Sequence, residues 1–106
     1  MEKGRTDINS NFAGLKFVNA TTQANTAKEF GVSASFRGIL FTIDSDATRC
    51  GEYMIYSGAT QFVRTVAVKS ATNVTFDVAT AGRMSITTPG STKLVFIVAT
   101  GNITAL

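Results

Sequence analysis

The chain has 106 residues, of which 44% are hydrophobic and 16% charged, and its formal net charge is +3. It contains no histidine and a single cysteine, Cys50. These totals exclude a Ser–His–Asp triad, a Cys–His dyad, an internal disulfide and a zinc site built from cysteines and histidines. We therefore expect no enzymatic activity, no cofactor and no metal site, although Ser–Lys and paired-carboxylate chemistry stay open.

Charge and hydropathy along the chain limit its partners. The ten basic residues are scattered, without the cluster expected of a nucleic-acid-binding surface. The N-terminus lacks the apolar segment of a signal peptide, and the longest apolar run, 94–99, is far shorter than the roughly 20 residues that span a bilayer. We expect synthesis in the cytoplasm, no membrane insertion and no nucleic-acid partner. Residues 1–11 are predicted to be a flexible segment and residues 12–106 a single domain.

The first half of the chain is predicted to contain three strands. The first covers 14–18, and the following stretch, 24–30, could hold one helical turn. Strands at 36–43 and 52–57 enclose residues 44–51, which are rich in turn-forming side chains. This order predicts a β-hairpin with a loop longer than two residues.

The second half alternates apolar and polar residues, which is typical of strands. The segment 62–68 places Phe62, Val66 and Val68 on one face, and 73–78 and 83–87 alternate more strictly. The segment 93–99 is apolar on both faces, which predicts a central strand covered by a second sheet or by a neighbouring subunit. Turn signals recur about every 8–12 residues, so we predict an all-β fold, an antiparallel β-sandwich or jelly-roll-like domain of about eight short strands.

The candidate ligand-binding residues lie in and after the 44–51 loop. The spacing of Asp44 and Asp46 resembles that of the first ligands of a calcium loop, but the glycine and the glutamate that such a loop requires do not stand at the required positions. A turn in which both aspartate side chains accept hydrogen bonds from local N–H groups is therefore favoured. Arg49 follows in the same loop. Tyr53 and Tyr56, the only tyrosines, point to opposite faces of the next strand, so one is expected in the core and the other on the surface.

The eight phenylalanines exceed what one small core accommodates. Together with the strands that are apolar on both faces, they predict that part of the core lies between copies of the chain. We expect a homo-oligomer, with a trimer favoured.

Short strands rich in Thr, Ala, Gly and Val, the stretch 37–43, its polar loop and the segment 52–56 resemble the C-terminal head or knob domains of bacteriophage tail fibres and receptor-binding proteins. The resemblance covers residues 12–106, and no coiled-coil or shaft repeat precedes it. It implies a small trimeric β-domain of the virion that binds a host-surface glycan or protein. It assigns no site residue, because these heads share no binding motif.

We therefore predict a non-enzymatic structural and recognition module of a phage virion. Two alternatives stay open. A small intracellular phage protein that inhibits a host protein would be a monomer or dimer with one partner in a host lysate. A bacterial carbohydrate-binding or adhesin-like domain would bind surface polysaccharides.

Overall fold

The computed structural model describes residues 15–106, which form nine strands and no α-helix. The predicted flexible segment at 1–11 lies outside the described residues, and the assignment of 12–106 to a single domain stays a prediction. The strands are β1 (Leu15–Thr21), β2 (Lys28–Val32), β3 (Arg37–Asp44), β4 (Gly51–Ser57), β5 (Val63–Lys69), β6 (Thr75–Asp77), β7 (Arg83–Thr87), β8 (Thr92–Thr100) and β9 (Ile103–Ala105).

The strands form two sheets. One has five strands in the order β1-β8-β3-β4-β5, and the other has four in the order β6-β7-β2-β9. Neighbouring strands within each sheet are antiparallel. One hydrophobic core lies between them, so the predicted antiparallel β-sandwich is confirmed, with one strand more than the eight expected.

The core is built from side chains that alternate along the strands. Phe30 and Ile86 of the four-stranded sheet and Leu40, Ile55 and Ile97 of the five-stranded sheet are all at most 1% exposed and belong to one cluster. Burying a side chain of this size contributes about 1.5–3 kcal/mol before the loss of conformational entropy is counted. The two inner faces therefore hold the sheets together.

Most of the predicted strands are confirmed. Strands β3 and β4 form the expected hairpin with a long loop, and Met84 and Ile86 of β7 face the core as the alternation predicts. The possible helical turn at 24–30 is wrong, because Lys28–Val32 forms β2. Its alternation of buried Phe30 and Val32 around Gly31 satisfies the sandwich core, which a helical turn would not.

Strand β5 presents its apolar face to the outside. Phe62, Val66 and Val68, which share one face in the sequence pattern, are 46%, 48% and 60% exposed, whereas their neighbour Val63 is buried. The five-stranded sheet therefore has a second apolar face, which we call the outer face, on the side opposite the four-stranded sheet. Among the described residues, no helix has the length and apolar character needed to cross a membrane.

Candidate functional site

Three loops meet at one end of the sandwich. The antiparallel registers Thr42–Gly51 and Asp44–Thr92 place the loop after β3 beside the loop that precedes β8. The pair Glu52–Lys69 brings the segment after β5 to the same end. Residues 47 positions apart in sequence, Asp44 and Ser91, are therefore neighbours in space. We call this region the loop end.

A cavity of about 310 Å³ opens at the loop end. This volume lies at the small end of the range for ligand pockets, about 300–1,000 Å³. It is lined by Arg49, Thr72, Asn73, Pro89 and Ser91, whose side chains include a guanidinium, an amide, two hydroxyl groups and a proline ring. These side chains combine hydrogen-bond donors, hydrogen-bond acceptors and one apolar ring, which suits a small polar ligand.

Asp44 connects two of the loops. One carboxylate oxygen, Oδ1, accepts a 2.8 Å hydrogen bond from the N–H of Asp46, and Oδ2 accepts from the hydroxyls of Ser91 at 2.8 Å and Thr92 at 3.3 Å. The Asp46 N–H, these two hydroxyls and the charge of Arg49 lower the pKa of Asp44 below its usual value, against an opposing effect of burial. Asp44 is thus a positioning residue that fixes Ser91 at the cavity.

Asp46 caps the short 3₁₀ turn formed by Ala47–Arg49. Its Oδ1 accepts from the Thr48 hydroxyl at 2.7 Å and from the Thr48 N–H at 2.9 Å, and both bonds lower the pKa of Asp46. Its other oxygen, Oδ2, lies 3.6 Å from Nε of Arg49. The pair is exposed and contributes little stability, and Arg49 is one of the residues that line the cavity. The turn predicted from Asp44 and Asp46 is therefore confirmed.

Tyr53 supports the cavity from below. It is 5% exposed, and its hydroxyl accepts a 2.7 Å hydrogen bond from the N–H of Ala71, in the loop that carries Thr72 and Asn73. Its ring also meets Phe76 edge-on, with the ring centroids 4.9 Å apart. Tyr53 therefore ties the loop to the core and does not itself face a ligand.

Close backbone packing completes this support. The N–H of Gly51 donates a 2.8 Å hydrogen bond to Oγ1 of Thr42. A Cβ atom at position 51 would lie 2.8 Å from Thr42 Oγ1, from Ala71 Cβ and from Tyr53 Cε2. Only glycine fits there without displacing the neighbours, so Gly51 sets how near the 70–74 loop comes to β4.

The structure brings together three of the five predicted site residues. Asp44, Asp46 and Arg49 lie at the loop end, and Tyr53 lies beneath it. Tyr56 pairs with Arg37 at the opposite end of β3, about 24 Å from Asp44 at 3.4 Å per residue. Four cavity residues were not among the candidates from the sequence, although the turn signals at 69–73 and 88–92 include them: Thr72, Asn73, Pro89 and Ser91.

A second, smaller depression lies on the four-stranded sheet. It measures about 40 Å³, and two carboxylates, Glu29 and Asp77, are among its lining groups. Both pair with Ser85 from opposite sides, so their Cα atoms are about 10 Å apart, twice the strand spacing. Arg83 Nη1 lies 4.0 Å from Glu29 Oε2. Within residues 15–106, no three His, Cys, Asp or Glu side chains converge as a metal site.

Comparison with known proteins identifies the fold. No family model and no curated protein matches the chain. The solved tailspike protein gp49 of Acinetobacter baumannii bacteriophage Fri1, a capsular polysaccharide depolymerase, matches with a TM-score of 0.58 and 14% identity over 87% of this chain. The fold of the sandwich is therefore one that occurs in a phage tailspike. The tailspike of another Acinetobacter phage matches with a TM-score of 0.45 and 14% identity, over 88% of this chain and 22% of that one.

The chain spans 19% of the Fri1 tailspike's length. The comparison nevertheless contradicts the expectation that the chain has no enzymatic activity, because this structural neighbour is an enzyme. That expectation relied on the missing histidine. It was too strong, because glycosidic bonds are cleaved by pairs of carboxylates without any histidine.

Proposed function

We propose that the chain is a receptor-binding module of a phage tail, carried on the virion, and that it binds host-surface polysaccharide in the cavity at the loop end. The observation that carries this proposal is the cavity of about 310 Å³. It lies at one end of a sandwich whose fold occurs in a tailspike that depolymerises capsular polysaccharide.

The cavity lining suits a saccharide. Arg49 offers several N–H donors in a planar fork, Asn73 offers both a donor and an acceptor, and Ser91 offers a hydroxyl already oriented by Asp44. Pro89 supplies an apolar surface for the carbon face of a sugar ring.

The module acts as a homo-oligomer, and a trimer is the state that the resemblance to phage heads favours. Repeated copies present several cavities to one polymeric ligand. Linking weak sites in this way raises the overall affinity by about 100-fold to 10,000-fold without any new contact.

The test is binding of the full chain to purified capsular polysaccharides, measured on a glycan array and by calorimetry. Arg49→Ala removes a charged donor from the cavity and is expected to weaken binding about tenfold or more, since a hydrogen bond to a charged group contributes about 1.5–3 kcal/mol. Arg64→Ala, on β5 and away from the cavity lining, is the matched control and should bind like the unmodified chain. Equal binding by the two variants, or no binding to any polysaccharide, contradicts the proposal.

A second candidate function is cleavage of the polysaccharide, and the placement of Glu29 and Asp77 on either side of Ser85 favours it. Their Cα atoms stand about 10 Å apart across β7, and the two carboxyl groups of a glycosidase stand about 5–9.5 Å apart. Release of reducing ends from the polysaccharide, abolished in both Glu29→Gln and Asp77→Asn, would support it. Release that survives both substitutions would place the reaction elsewhere.

A further inference from the structure

The outer face of the five-stranded sheet carries an uninterrupted apolar row. Direct cross-strand partners run across all five strands, from β1 at one edge to β5 at the other. No charged residue interrupts this row, which consists of Phe17, Val98, Ile39, Met54 and Val66. When one face of a strand meets solvent, the residues on that face are ordinarily polar. An entirely apolar row is therefore unusual for a free surface.

The row is exposed and extends to its neighbours. Phe17 is 60% exposed, Met54 50% and Val66 48%. Beside the row, the ring of Phe96 stacks on Phe17 at 6.4 Å and on Phe41 at 6.2 Å between centroids. The outer face is therefore one continuous apolar surface, and not a set of isolated side chains.

The exposed area is sufficient for a stable interface. Seven large side chains on this face are 38–60% exposed: Phe17, Ile39, Ile43, Met54, Tyr56, Val66 and Val68. At roughly 200 Å² for a whole large side chain, they expose on the order of 700 Å². A standard protein interface buries about 800 Å² on each partner, and monomers rarely expose apolar patches above a few hundred Å².

The charges on this face lie beside the row. Arg37 and Arg64 flank it on one side and Glu52 on the other, one register step along the strands. An apolar centre with a polar rim is the usual anatomy of an interface between proteins. The residues outside the structure, 1–14, include only three large apolar side chains, Met1, Ile8 and Phe12, which are too few to cover the face.

We propose that the outer face packs against other copies of this chain, with the row from Phe17 to Val66 at the centre of the interface. The partner is the same polypeptide, because each copy offers a matching area of similar apolar character. This proposal rests on the sheet alone and is independent of the cavity at the loop end. Failure of polysaccharide binding therefore leaves this proposal standing, whereas a monomeric chain would remove the homo-oligomer from the proposed function and leave binding at a single cavity.

The mass of the full chain in solution tests it, measured by light scattering on a sizing column from about 1 to 100 µM. The unmodified chain is expected to be an oligomer. Met54→Lys places a charge in the centre of the row and should weaken association at least tenfold, shifting the chain to the monomer. Val66→Lys on the edge strand should act likewise, and it keeps the test decisive should Met54→Lys fail to fold.

Thr104→Lys, exposed on β9 of the other sheet, is the matched control and should leave the oligomer intact. A monomer from the unmodified chain across the whole concentration range overturns the proposal. So does an oligomer that persists in folded Met54→Lys and Val66→Lys, since association then uses another surface.

Discussion

The hydroxyl of Tyr53 and the backbone N–H of Ala71 form a 2.7 Å hydrogen bond inside the sandwich. It joins the buried face of β4 to the loop that brings Thr72 and Asn73 to the cavity. The position of two cavity residues therefore depends on a core side chain that is only 5% exposed.

Replacing Tyr53 with phenylalanine keeps the ring and removes the hydroxyl. The N–H of Ala71 then stays buried without its partner, which costs about 1–3 kcal/mol of unfolding free energy. Urea denaturation measures the loss, and polysaccharide affinity should fall with it because the loop is released. Tyr56→Phe, at a partly exposed site, should change stability by less than about 0.5 kcal/mol. Equal losses in both variants would show that the hydrogen bond has no structural role.

Gly51→Ala tests the close approach beneath the cavity. The added methyl group would lie 2.8 Å from atoms of Thr42, Ala71 and Tyr53, so these must move apart. We expect a loss of about 1–3 kcal/mol, typical of overpacking. Gly58→Ala is the control, because nothing lies within 4 Å of its added Cβ. Thermal unfolding followed by circular dichroism compares them, and a Gly51→Ala protein as stable as Gly58→Ala contradicts the packing described.

The two lowered carboxyl pKa values predict a loss of stability in acid. Asp44 and Asp46 titrate near 3.9 in the unfolded chain and lower in the folded protein. Their contribution to the free energy of unfolding is therefore complete above about pH 4. It disappears as the pH falls through the lower pKa values of the folded state. Guanidinium unfolding between pH 7 and pH 2 should show this decline. Asp44→Asn should be less stable at pH 7 and decline less in acid, whereas parallel curves would rule out its role.

Alanine substitutions at two phenylalanines distinguish the core between the sheets from the outer face. Phe30 on β2 is fully buried, so Phe30→Ala should cost about 3–5 kcal/mol. Phe17 is 60% exposed in one copy, so Phe17→Ala should reduce the mass of the oligomer more than it reduces the stability of the isolated fold. Unfolding curves and light scattering on the same samples distinguish these effects. If Phe17→Ala lowers the free energy of unfolding as much as Phe30→Ala does and leaves the oligomer unchanged, the placement of Phe17 in the interface is contradicted.

The sequence predicted best those elements that depend on residues adjacent in the chain. Strict alternation identified β7, and turn-forming side chains identified the hairpin loop with Asp44 and Asp46. Strand β2 was missed because Gly31 interrupts its pattern and a lysine and a glutamate precede Phe30. Which face of β5 points inward depends on the opposite sheet, and so the pattern alone could not assign Val66 to the outside.

The cavity was less predictable than the turns that form it. Arg49 emerged from its own loop, but Asn73 and Ser91 join it only because β8 pairs with β3 and β5 with β4. Such pairings join segments far apart in sequence, and no alternation or turn signal encodes them. Conversely, residues close in sequence can lie far apart in the fold. Tyr56 is near Tyr53 in sequence but lies toward the end of the sandwich opposite the cavity.

Strand β8 lies between β1 and β3, and Leu15 of the first strand pairs with Thr100 of the eighth. During synthesis β1 leaves the ribosome long before β8 has been made. Until β8 is present, the hairpin of β3 and β4 has an unpaired edge at β3. Pairings of such large sequence separation form slowly, and an open edge invites association with other unfinished chains. Soluble yield should therefore depend on the rate of translation, and slower expression at lower temperature should favour the completed sheet.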